Sequence, residues 1–150
     1  MLAIVQIINS GSVSIEGDSN TKRSTGKGLL VFLGVSQKDS EIELEKVFQK
    51  LLKLRIFPDE DKKMNLDIHQ SGGEILLISQ FTLLGNLKGN NRPDFTDAAG
   101  KDLALNLYDL FADKLTSASI SVTKGYFGEH MEISSELVGP VTIILDSEKI

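Results

Sequence analysis

The chain has no cysteine, and that single absence excludes a disulfide framework, a thiolate zinc site and a cysteine nucleophile together. It is consistent with a reducing compartment, and a cytoplasmic location is the expectation. Histidine is nearly as scarce, His69 and His130 being the only two. A hydrolase triad needs a base beside its nucleophile, and neither histidine sits in a recognisable triad motif. Both read as surface or strand-edge residues. There is no GxxxxGK[ST] run and no GxGxxG after a strand, so nucleotide-binding folds lose their main support.

A basic surplus is missing too. Sixteen Lys and Arg stand against 21 Asp and Glu, a formal charge of −5, whereas phosphate contact normally draws on excess cations. A role with nucleic acid therefore needs a local patch. Candidates are Lys22, Arg23 and Lys27, the acid-free run from Gly85 to Arg92 with Lys88 and Arg92, and Lys62-Lys63. Taken alone, each reads first as a solvated surface. The opening MLAIVQIINSGSVSIEG lacks the basic start and small-residue cleavage site of a signal peptide, and its apolar run is too short for a membrane span. It reads as a first strand, with no membrane partner.

What is present suits one globular domain over residues 1–150, with 41% apolar and 25% charged residues. A chain of this size buries about 70% of the surface its unfolded form exposes, so no staple is required. Strands are expected over 2–8 and 12–16, joined around Asn9-Ser10-Gly11. GLLVFLGV, residues 28–35, is apolar on both faces and predicts a covered central strand. Ser40-Glu41-Ile42-Glu43 has the capping-box form, and Ile42, Val47, Phe48, Leu51 and Leu52 fall on one helical face, ending before Pro58 and DEDKK. A strand from Glu74 to Leu84, the loop GNLKGNNRPDFTDAAG and a second helix follow. On that helix Leu103, Leu107, Phe111 and Leu115 recur at helical spacing, with Ala104 and Tyr108 beside them. Strands near 119–124, 130–135 and 140–146 close the chain. The fold class is α+β, a mixed or antiparallel sheet curled over two main helices.

Metal chemistry finds little support. Asp59-x-Asp61-x-Lys63-x-Asn65 has a faint calcium-loop pattern, but Met64 replaces the turn glycine and Gln70 stands where a bidentate glutamate is needed. No metal and no cofactor are expected. Glu41, Glu43 and Glu45 alternate and cannot share one helical face; their place in the first turns suits the helix dipole.

The segment ILLISQFTLLGN, residues 75–86, carries hydrogen-bonding side chains at the centre of an apolar run. As a strand it would project Gln80 and Thr82 from the face of Leu76 and Ile78, and Ser79 and Phe81 from the other. Buried without partners, such groups cost about 1–3 kcal/mol each. On pattern alone they form a satisfied network in a core strand.

SQFTL at 79–83 together with GPVT at 139–142 resembles the paired signature of the D-aminoacyl-tRNA deacylases. The likeness runs the length of the chain. MLAIVQ, SVSIEG, GLLVFLGV, LRIFPDEDKKMNL, KGNNRPDF and YFGEHMEI follow in that family's order and spacing. The resemblance implies a closed antiparallel β-barrel-like domain with helices packed against it, and a homodimer whose active sites lie at the subunit interface. It implies hydrolysis of the ester joining a D-amino acid to the terminal adenosine of tRNA, and of glycine mischarged on alanine tRNA.

Carried over by residue, the resemblance makes Ser79, Gln80, Phe81 and Thr82 the catalytic strand. Gln80 and Thr82 would be polar contacts; Phe81 would position the adenosine and offer its N–H to the ester carbonyl; Ser79 would support them. A Thr82 nucleophile lacks an evident base. The family instead implies that a ribose 2′-hydroxyl assists, the protein supplying position and an oxyanion site. Gly139-Pro140 matches the family's cross-subunit motif, a cis pair that enters the partner's site and excludes an L side chain, with Val141 and Thr142 in support.

Two places in the chain depart from the family pattern. Leu137-Val138 stands where Asn-Asp usually precedes Gly-Pro, and Ile7 where an arginine commonly follows the first-strand glutamine. They leave room for a noncatalytic tRNA- or partner-binding dimer with a degenerated proofreading loop. A threonine esterase acting on small esters is a third reading.

Overall fold

The computed structural model describes residues 1–89 and 91–150; Asn90, inside the loop expected after Leu84, lies outside the described residues. In chain order the elements are β1 (Leu2–Ile15), β2 (Asp18–Thr25), β3 (Gly28–Gly34), α1 (Glu41–Leu52), β4 (Phe57–Pro58), β5 (Met64–Leu66), α2 (Ile68–Ser71), β6 (Glu74–Ser79), a 3-10 turn (Phe81–Leu84), α3 (Lys101–Ser117), β7 (Val122–Lys124) and β8 (Met131–Asp146).

β1 runs straight through Asn9-Ser10-Gly11, where a turn was expected. Both its edges are occupied there, Gly11–Val13 pairing with β2 and Ser10–Ile15 with β8. Two ladders satisfy more backbone groups than a turn would, and the turn-forming residues appear only as register shifts. β8 is likewise one strand rather than two. Neither β2 nor the β4–β5 hairpin nor α2 was foreseen. Asp59 closes that hairpin, its carboxylate accepting from the N–H groups of Asp61 and Lys63, each at 3.0 Å.

The main sheet has the order β2-β1-β3-β6-β7, with β8 on the other edge of β1. It is mixed, which corrects the antiparallel expectation. β1 is antiparallel to β2, β3 and β8, but β3–β6 and β6–β7 are parallel. The reason is topological: α1 and α3 carry the chain back across the sheet, so the next strand starts in the same direction. Arg23 Nη1 donates to the Lys124 carbonyl at 2.8 Å and Thr123 Oγ1 to the Ser24 carbonyl at 3.3 Å, so side chains of β2 and β7 draw the sheet into a nearly closed barrel.

Two apolar clusters cover the two faces of the central strands. Leu29, Val31, Ile75 and Leu77 pack under the helices, whereas Leu30, Leu76 and Ile78 join Ile8 and Val13 on the opposite side. That double cover is why residues 28–35 are apolar throughout. On α1 the buried set is Leu44, Val47, Phe48 and Leu51, an i, i+3, i+4, i+7 stripe. Ile42, expected on that face, lies roughly 200° around the helix from Leu44 at ~100° per residue and is 67% exposed. The capping box forms as expected: Ser40 accepts from the helix start while Glu43 accepts from the Ser40 N–H at 3.0 Å. No helix among the described residues is long and apolar enough to cross a membrane.

Candidate active site

The opening of the site is set by where β6 stops. Its last ladder bond is the Gln80 N–H to the Leu33 carbonyl at 2.8 Å, after which the chain tightens into the 3-10 turn. Gly34 permits this: a Cβ there would sit 2.7 Å from Leu84 Cδ2 and 3.0 Å from the Gln80 carbonyl. The strand expected to reach Leu84 therefore ends five residues early, and strict alternation of side chains ends with it. Ser79 and Gln80 are half-buried and Phe81 and Thr82 exposed. They form no sealed core network; they line an open cleft of ≈ 520 Å³.

Phe81 is held on one side only. The ring of Phe95 meets it edge-on at 5.1 Å, yet Phe81 stays 54% exposed, which leaves a ring face free to stack. Phe95 is brought there by a closed loop: Asn86 and Asp94 exchange backbone hydrogen bonds of 2.8 and 2.9 Å. The Thr96 hydroxyl and N–H hold the Asp94 carboxyl below its ordinary range. No acceptor among the described residues takes the Phe81 or Thr82 N–H. Two main-chain donors thus point from the start of the 3-10 turn with no protein partner, beside the Gln80 amide and the Thr82 hydroxyl.

The facing wall was missed by sequence reasoning. Phe127, Glu129, His130 and Met131 line the cleft together with Ala104 of α3. Its signal was YFGEHMEI, a turn-type GEH ahead of alternating Met131 and Ile133. The turn is anchored from two directions. Arg23 lies 3.9 Å from the Tyr126 ring centre, and the Tyr126 hydroxyl donates to the Thr21 carbonyl at 2.6 Å. Arg23, proposed as part of a basic patch, is engaged in this clamp. Behind the cleft the buried Tyr108 hydroxyl donates to the Leu77 carbonyl at 2.8 Å, and burial raises its pKa, so it remains a donor. His130 reaches the cleft; His69 sits on α2, away from it.

Gly139, Pro140, Val141 and Thr142 do not line this cleft. They belong to a finger on β8. In the β1–β8 ladder Gln6 pairs with Thr142 and Ile8 with Leu137. Ile7 alone therefore faces Val138, Gly139, Pro140 and Val141. Gly139 and Pro140 are exposed, their peptide bond is cis, and Gly139 has φ +114°, a value that disfavours any L side chain. A Cβ on Gly139 would also lie 2.6 Å from the Val141 nitrogen. Ile7 is buried in the main cluster and Val138 packs against the same cluster, so the two departures from the family pattern meet at the finger's base. Side-chain bonds flank it, Gln6 Nε2 to Thr142 Oγ1 at 3.1 Å and Asn9 Nδ2 to Glu136 Oε1 at 3.0 Å. Among the described residues no group of three His, Asp or Glu is placed to hold a metal ion.

The domain is a barrel-like α+β fold with an open cleft at a strand end, bearing amide, hydroxyl and free N–H groups. The D-Tyr-tRNA(Tyr) deacylase family model matches residues 4–146, and the chain belongs to that family. It is 44% identical over 149 residues to the D-aminoacyl-tRNA deacylase of Clostridioides difficile, covering 99% of each chain. With that of Dictyoglomus turgidum it shares 45% identity over 148 residues, 99% of this chain and 94% of the relative. Among solved structures, a c-Myc DNA unwinding element binding protein superposes with a TM-score of 0.88 at 36% identity, covering 97% of this chain and 98% of that one. A probable eukaryotic D-amino acid tRNA deacylase superposes with a TM-score of 0.81 at 20% identity, covering 96% and 97%, a likeness of fold.

Proposed function

We propose that this protein hydrolyses the ester bond of D-aminoacyl-tRNA, releasing free D-amino acid and tRNA. The observation that carries the reading is the meeting of Gln80, Phe81 and Thr82 in one cleft, with the Phe81 N–H unpaired. Phe81 stacks on the terminal adenine, a contact worth about 1–3 kcal/mol by analogy with other base–aromatic pairs. Its N–H and that of Thr82 receive the ester carbonyl oxygen as negative charge develops there. Gln80 and Thr82 fix the ester, with Ser79 behind them, and the neighbouring ribose 2′-hydroxyl assists the attacking water.

Selectivity comes from a second copy of the chain. The finger at 139–140 is six residues along β8 from Ile133, which lines the protomer's own cleft. At ~3.3 Å per residue that is roughly 20 Å, out of its own site's reach but available to a partner's. A surface for pairing exists: Ile4 is flanked in register by Phe32 and Ile144, forming an outward apolar row in which Ile144 is 66% exposed. In the homodimer, main-chain atoms of Gly139 and Pro140 occupy the space an L side chain needs, while Val141 and Thr142 seat the finger. Glycine, lacking a side chain, is released too, including from alanine tRNA.

The test is release of amino acid from tRNA charged with D-Tyr, L-Tyr or Gly. Hydrolysis of D-Tyr and Gly with L-Tyr spared is expected. No release from any would favour a noncatalytic tRNA-binding dimer. Cleavage of simple esters lost in Thr82→Ala would favour a threonine esterase.

A further inference from the structure

β2 is an edge strand that gains little from burial. Of its eight residues Thr25 alone is buried, and among the described residues none of its side chains joins either apolar cluster. What ties it across the barrel seam is polar. Arg23 Nη1 donates to the Lys124 carbonyl at 2.8 Å, its guanidinium lies 3.9 Å from the Tyr126 ring centre, and the Tyr126 hydroxyl donates to the Thr21 carbonyl at 2.6 Å. Tyr126 uses its main-chain groups in the other direction. Its N–H donates to Met131 Sδ at 3.2 Å and its carbonyl accepts from the Glu129 N–H at 3.2 Å, and Glu129 and Met131 both line the cleft. From the core side the segment is tied by the Gly125 N–H to the Leu77 carbonyl at 2.9 Å and by Phe127 against the Tyr108 ring, 5.8 Å between centres. At residue 126 the hold comes from β2.

We infer that Arg23 is a positioning residue: through Tyr126 it fixes the separation between the two walls of the cleft, and with it the affinity for the substrate that fills the space. The inference rests on the deacylase reading, in which the ester lies against the strand side at Phe81 and Thr82 while the wall at 127–131 touches the unreacting remainder. The task requires a planar cation. A guanidinium stacks on an aromatic face and donates in its own plane to a carbonyl, whereas an ammonium keeps the charge without the fork.

The experiment measures kcat and KM on D-tyrosyl-tRNA for wild type, Arg23→Ala, Arg23→Lys and Tyr126→Phe over a series of salt concentrations. Arg23→Ala should raise KM about fivefold, the effect of losing a cation–π contact and a hydrogen bond at an exposed site. Its kcat should stay within about twofold, the signature of binding lost away from the reacting atoms. A variant that merely unfolds in part loses apparent kcat and keeps its KM, so instability cannot imitate this result. Arg23→Lys should fail to restore KM. Tyr126→Phe keeps the stacked ring but loses the Thr21 bond, and should fall between wild type and Arg23→Ala. An unchanged KM in Arg23→Ala would overturn the assignment. So would a KM restored by Arg23→Lys, or a salt slope of log(kcat/KM) shallower by about one in Arg23→Ala, since either marks a direct contact with an RNA phosphate. Wild type that leaves D-tyrosyl-tRNA intact would overturn the deacylase reading instead, and is recognised before any variant is compared.

Discussion

Residues 75–78 and 79–82 are consecutive tetrads with opposite surroundings. Ile75, Leu76, Leu77 and Ile78 are all buried, alternately under the helices and against the second cluster. Ser79, Gln80, Phe81 and Thr82 are half-buried or exposed at the lip of the cleft. Both tetrads are predominantly uncharged, and the second is no less constrained, being seated by Gly34 and Phe95. What separates them is backbone pairing. While the ladder to β3 continues, side chains are driven into two packed layers; once it ends, the same chain presents its polar atoms to the open cleft. Stability resides in the first tetrad; in the proposed function, chemistry belongs to the second.

That division can be broken by substitution. The largest effect on folding belongs to Leu77→Ala, which removes a fully buried side chain and is expected to cost about 2–5 kcal/mol in denaturant unfolding. If the protein were barely destabilised, the first tetrad would not be the stabilising one. Gln80→Ala and Thr82→Ala should instead reduce D-aminoacyl-tRNA hydrolysis by about a hundredfold while unfolding within about 0.5 kcal/mol of wild type. Comparable losses of stability in those two variants would erase the contrast.

The smallest effect sharpens the boundary at the other end of β6. The Glu74 carboxylate accepts from the Gly26 N–H at 2.9 Å and the Thr25 hydroxyl at 2.8 Å, and these bonds, the backbone one foremost, hold its pKa below the usual value. A carboxyl depressed by folding contributes stability that is complete above its unfolded pKa and is lost as pH falls through the folded one. The Tm gap between wild type and Glu74→Gln should therefore be widest near neutral pH and close in acid. A gap that persisted in acid would mean that the ion is not what ties β6 to residues 25 and 26.

Much of this was legible beforehand. The covered strand at 28–35, the capped helix from Ser40 and the helix bearing Tyr108 and Phe111 all rest on local pattern, and local pattern survives folding. The misses share a different cause. Asn9-Ser10-Gly11 has a turn's composition but two strand partners; Ile42 is apolar yet out of phase with its stripe; Leu83 and Leu84 extend an apolar run past the last available ladder bond. Glu129 and His130 sit nearly fifty residues beyond SQFT, and nothing local links the two.

The sequence alone determined the composition of the strands and helices, the absence of thiol chemistry and the family, because these depend on residue identity and short-range spacing. Tertiary structure decided that two strand pairs are parallel, that β6 stops at Ser79, that a turn from residues 126–130 faces it, and that four residues of β8 bulge over Ile7. Each of these depends on which backbone edges find partners. Pairing between distant segments is settled by the whole chain's effort to satisfy its hydrogen bonds and bury its apolar surface at once.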